Sequence, residues 1–99
     1  MSNNKDPELD KFVSIVNIKL RIKDTAKQLG FTPTNDVLFS KYHDDKIIYM
    51  KFDSDCISMW SNKDPRKKYD KLYITIRESI DNGYYNEKEF IKNALDLLK

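Results

Sequence analysis

Between residues 37 and 60, three short apolar runs are separated only by His43-Asp44-Asp45 and Asp53-Ser54-Asp55. Short Asp and Ser side chains bond their own backbone in turns. Connections this brief join neighbouring antiparallel strands, whereas parallel strands need a crossover of roughly a dozen residues or more. The spacing therefore predicts strands over 37–42, 46–52 and 56–60. Leu72, Ile74 and Ile76 alternate with Tyr73, Thr75 and Arg77, which predicts a fourth strand over 69–76. In the second strand Ile48, Met50 and Phe52 make the core face, and Ile47, Tyr49 and Lys51 the other.

Helices are expected on both sides of this meander. Asp6 and Pro7 suit an N-cap and a first helical position, while Gly30 and Pro33 mark the stop. Between them lie two apolar faces. Leu9, Phe12, Val13, Val16 and Leu20 share one, and Ile15, Ile18, Ile22, Ala26 and Leu29 share the other. Residues 16–23 also alternate with strand period, but the two end signals favour one long helix. A helix apolar on both sides must be covered twice, by its own sheet and by the C-terminal helix, a second copy or a larger target.

The C-terminal helix starts at Asn86 as N-cap, with Glu89 completing a capping-box pattern. Phe90, Ala94 and Leu97 line one face, beside Ile91, Leu95 and Leu98. Residues 78–85 read as a turn-rich connection through Asn82-Gly83, with one helical turn around Ile80. The expected fold is α+β: a long N-terminal helix, a four-stranded antiparallel meander and a C-terminal helix, with the helices on one face of the sheet. It occupies 7–99 as one domain behind a flexible 1–6.

Composition narrows the function classes. Lys and Arg number 18 against 16 Asp and Glu, a net charge of +2, so the whole-molecule field steers weakly toward nucleic acid or membrane. No run approaches the ~20 apolar residues of a membrane span. Met1 to Pro7 lacks the apolar stretch of a signal peptide. A lone cysteine, Cys56, forms no internal disulfide and no Cys-pair zinc site. These features predict a cytoplasmic, reducing location without membrane attachment. Two glycines exclude a Gly-rich phosphate loop. Lysine far outnumbers Arg21, Arg66 and Arg77, and with abundant Ile, Asn and Tyr this is A/T-rich coding, pointing to a low-GC bacterium, its phages or mobile elements.

Three groups of residues are candidates for chemistry. Lys63, Arg66, Lys67, Lys68 and Lys71, interleaved with Tyr69 and Tyr73, suit single-stranded nucleic acid, where cations meet phosphates and rings stack on bases. Asp64 and Asp70 dilute that patch. The Asp-rich turns and His43 offer hard metal ligands, but successive turns of a meander stand at opposite ends of the sheet, so no metal is expected. Nothing in the spacing orients His43 toward Cys56 as a thiolate–imidazole pair. Neither an enzyme nor a cofactor is therefore expected.

The third group is aromatic. Tyr49, Trp60 and Tyr73 are expected on the outer sheet face, with Lys67 and Lys68 at a polar rim. Exposed Tyr and Trp anchor protein interfaces because they bury much area at low entropic cost. The leading expectation is a small non-enzymatic regulator, inhibitor or adaptor that binds a larger protein, with a homodimer through the N-terminal helix. The alternative is a single-stranded nucleic-acid binder using 61–71. The helix, meander, helix order is similar to that of the double-stranded-RNA-binding domain. That family carries a lysine-rich motif where this chain has Asn86-Glu87-Lys88-Glu89, which is acidic and repels phosphate.

Overall fold

The computed structural model describes residues 7–99, without the side chains of Pro7, Glu8, Lys11, Lys71 and Leu72. The lead-in expected for 1–6 and the Asp6 cap lie outside the described residues. The order is α1 (Pro7–Gln28), β1 (Thr32–Pro33), β2 (Leu38–His43), β3 (Lys46–Phe52), β4 (Cys56–Ser61), β5 (Lys68–Leu72), α2 (Tyr73–Asp81) and α3 (Glu87–Leu97). All five strands form one antiparallel meander in chain order. The fold is α+β with the helices on one sheet face, and it has five strands rather than the expected four.

The extra strand is two residues long. Thr32 and Pro33 pair with Ser40 and Phe39. The Asn35 side chain turns the chain into β2 by accepting from the Val37 and Leu38 N–H groups at 2.9 and 3.0 Å. A proline on a short outermost strand blunts an edge that would otherwise recruit another chain.

α1 is continuous through residues 16–23, which settles the helix-against-strand competition there. Its end is a Schellman cap. The Phe31 N–H reaches the Ala26 carbonyl at 2.9 Å and Gly30 that of Lys27 at 3.1 Å, with Gly30 at φ 99°. Ile18, Ile22 and Ala26 are buried, whereas Leu9, Phe12, Val13 and Leu20 are exposed. Only one of the two apolar faces is covered.

The fourth strand stops earlier than its alternation implied. Leu72 pairs with Cys56, the first residue of β4, so nothing remains beyond it to pair with. The chain turns directly into α2, which corrects the 69–76 strand and extends the helical turn expected around Ile80 over 73–81, while the turn through Asn82-Gly83 stands where expected. Tyr73, Ile76 and Ile80 were already at helical spacing, and Tyr73 and Ile76 are buried by it. Gly83 at φ 77° ends α2 with a second Schellman cap, Tyr84 N–H to Ser79 and Gly83 N–H to Ile80. In α3 the Asn86 side chain accepts from the Glu89 N–H at 3.1 Å. Of the two apolar faces, Phe90, Ile91, Ala94 and Leu98 are buried, whereas Leu97 is 53% exposed.

One hydrophobic cluster joins the helices to the inner sheet face. Phe39, Ile48, Met50, Phe52, Ile57 and Met59 meet Ile18, Ile22, Tyr73, Ile76, Phe90 and Ile91 there. Phe39 and Phe52 pack edge to face at 5.4 Å. The molecule measures 58 × 28 × 25 Å. Ile15 is the first described α1 residue against the core, so the turns before it project past the body.

Candidate functional site

Residues directly opposite each other in antiparallel strands share a face. By register, Thr32, Ser40, Tyr49, Trp60 and Lys68 form one row across all five strands on the face away from the helices. The buried helix residues all belong to the cluster on the other side, so among the described residues no helix covers this row.

Its centre is a pair of rings. Tyr49 and Trp60 stack at 5.6 Å between centroids and 27° between planes. Both are half-buried, each shielding the other. Lys68 lays its Nζ 5.1 Å from the Trp60 centroid, a cation–π contact. The adjoining row pairs Tyr42 with Ile47, and Tyr42 is 80% exposed. A shallow groove runs along Leu38, Ser40, Tyr42, Ile47 and Tyr49. Toward the other end, Lys51 and Asp70 continue the face with both signs of charge, flanking a buried Ser58. The surface is therefore an aromatic and aliphatic centre with a lysine and polar groups around it.

Tyr73 does not belong to it. The expectation that it lies on the outer sheet face is corrected: it opens α2 and is fully buried. Burial, with Cys56, Asp53 and Asp55 nearby, pushes its phenol pKa up. Lys67 and Lys68 are both exposed, but Lys67 Nζ donates to the Lys99 carbonyl at 2.6 Å. Tyr42 is the member that sequence reasoning placed near a strand without selecting. Its parity with Leu38 and Ser40 was the available signal.

The basic loop divides between the two faces. Lys63 and Arg66 are exposed, and the Ser61 hydroxyl shapes the turn by accepting from the Lys63 and Asp64 N–H groups, both at 3.2 Å. Tyr69 neighbours Lys68 in sequence but points inward, 5.5 Å from the Phe90 ring, and burial raises its pKa. It therefore cannot stack a base beside Lys68. The Lys71 side chain lies outside the described residues.

The Asp44–Asp45 turn precedes β3 and the 53–55 turn follows it, one strand length apart. His43 Nε2 comes within 3.5 Å of Asp44 Oδ2. Cys56 Sγ, at the other end, is 3.6 Å from Ser58 Oγ and 4.0 Å from Asp53 Oδ2. Imidazole and thiol thus make no pair. Among the described residues no group of three His, Cys, Asp or Glu is placed to hold a metal ion. Among them also, no helix is long and apolar enough to cross a membrane.

A second concavity lies between α2 and α3, lined by Tyr69, Ile76, Tyr84, Tyr85 and Phe90. No family model, no curated protein and no solved structure matches the chain.

Proposed function

We propose that the chain is a small non-enzymatic regulator, inhibitor or adaptor that binds a larger protein through the open face of its sheet. Tyr49 and Trp60 are the anchors, Tyr42, Leu38 and Ile47 extend the contact, and Lys67 and Lys68 form the rim. The observation that carries this reading is the stacked Tyr49–Trp60 pair in the centre of a sheet face that no helix covers among the described residues. Rings held against each other lose little entropy on binding, and aliphatic neighbours favour a protein surface over a nucleobase. The lone thiol and low net charge support action in the cytoplasm. The A/T-rich coding signature supports a phage or mobile-element origin.

Trp60 is the sole tryptophan, so its fluorescence reports on the site alone. Titration with protein fractions of the native host shifts its emission to the blue when a partner covers it. Trp60→Ala and Tyr42→Ala abolish co-purification of that partner while circular dichroism stays unchanged. Variants that retain the partner, or that unfold, overturn the reading.

The second reading is single-stranded nucleic acid, favoured by the Lys68 cation over the Trp60 ring beside Lys63 and Arg66. It predicts fluorescence quenching by short single-stranded oligonucleotides, with affinity that falls steeply as salt is added. No quenching at low ionic strength removes it.

A further inference from the structure

Independently of the sheet face, we propose that two copies of the chain pair antiparallel through the exposed stripe of α1, about a two-fold axis between Val13 and Val16. Leu9, Val13, Val16 and Leu20 follow one another at intervals of four, three and four, the seam of a helix that packs on another helix. Leu9, Val13 and Leu20 are 57, 47 and 59% exposed, and Phe12 beside them is 64% exposed. Val16 is half-buried. The protein's own core does not use this seam, because Ile18, Ile22 and Ala26 face it from the opposite side of the helix.

The occupant follows from self-complementarity. In the antiparallel register, Leu9 of one copy meets Leu20 of the other, and Val13 meets Val16. Every seam residue then has an apolar partner, as an isologous contact requires. Charge selects the same direction. Asp10 stands in the first half of α1, whereas the second half carries Lys19 and Lys27 against Asp24, with Arg21 paired to Glu87 and Lys23 donating to the Asp36 carbonyl within the same chain. Antiparallel pairing lays the acidic end of one helix along the basic end of the other, and opposes the helix dipoles. Parallel pairing would set Asp10 at the level of Asp10 and Lys19 at the level of Lys19. The projecting turns of α1 leave the seam open to a second helix.

The seam is narrow, so the dimer forms at concentrations on the order of micromolar rather than nanomolar. Sedimentation velocity of the full chain over a concentration series is expected to show monomer converting to dimer. Phe12→Lys and Leu20→Lys each weaken association at least tenfold while circular dichroism, and melting in dilute solution, stay unchanged, because both side chains are exposed. In a Cys56→Ser background, Leu9→Cys mixed with Leu20→Cys yields a disulfide-linked pair, and neither variant alone does. A chain monomeric at every concentration overturns the proposal, as does a dimer that survives Leu20→Lys. Cross-linking of Leu9→Cys with itself overturns the antiparallel register. Trp60→Ala forms the same dimer, so failure of the sheet-face reading is read separately.

Discussion

Lys41 stands on the inner face of β2 and donates its Nζ to the carbonyl of Leu29 at 2.6 Å, tying the sheet to the C-terminal end of α1. A lysine directed toward a core is ordinarily a defect. Here its charge meets the negative end of a helix dipole, and its ammonium also lies 5.7 Å from the Phe31 ring centroid. Lys46 repeats the device, donating to the Leu98 carbonyl beyond α3 at 2.6 Å.

Lys41→Met keeps most of the aliphatic stem and removes the charge-assisted bond. It is expected to lower stability by about 1.5 kcal/mol, several degrees in melting temperature. Lys51→Met, which among the described residues breaks a single 3.6 Å surface ion pair with Asp53, is expected to change it by less than about 0.5 kcal/mol. Equal effects in urea unfolding would deny Lys41 its capping role.

The two faces of α1 differ sharply in what truncation costs. Ile22 is fully buried, so Ile22→Ala is expected to cost about 2–5 kcal/mol. Leu20, two residues away and 59% exposed, is expected to cost less than about 0.5 kcal/mol in dilute solution. Chemical denaturation of both variants measures the contrast.

Asp44 and Asp45 both hold positive φ, 50° and 64°, as a two-residue hairpin between right-twisted strands demands. Asp45→Gly relieves the second of these and is expected to stabilise by about 0.5–1 kcal/mol. A lower melting temperature would mean that the Asp45 carboxylate outweighs the backbone relief.

Burial holds the Tyr73 and Tyr85 phenols well above their ordinary value, and their hydroxyls find no partner among the described residues. The unfolded chain ionises near pH 10 while the folded one keeps its protons. The unfolded state therefore binds fewer protons above that pH, and stability falls as pH rises past about 10. Below it these groups contribute no pH dependence. Tyr73→Phe is expected to raise neutral-pH stability by about 1 kcal/mol and to flatten the alkaline limb by one proton. Loss of stability at pH 7 would show that the hydroxyl is satisfied.

Tyr49→Ala and Trp60→Ala are expected to cost about 1–2 kcal/mol through the lost stack, leaving unfolding cooperative, because neither ring reaches the inner cluster. Abolished folding in either variant would place them in the core.

Most of the candidate face was legible because strand parity is strict. With Ile48, Met50 and Phe52 in the core, Tyr49 must face away, and the opposing residue of β4 is Trp60. Tyr69 and Tyr73 lie close to the exposed lysines in sequence but not in space. Alternation sends Tyr69 to the side opposite Lys68, and Tyr73 belongs to a different element altogether.

Local chemistry was enough to locate the C-terminal end of α1, the start of α3 and the hairpin turns. Gly30, Asn86 and the Asp pairs act on backbone groups within a few residues of themselves, so no distant contact is needed to read them. Residues 72–80, by contrast, carry strand alternation and helical spacing at once, and the sequence supports both. The sheet decided between them: β4 begins at Cys56, its partner Leu72 is the last residue with a strand to pair with, and helix formation alone could then bury Tyr73 and Ile76 together. Which face of α1 meets the core was decided the same way, by the neighbours that α2, α3 and the sheet bring to Ile18, Ile22 and Ala26.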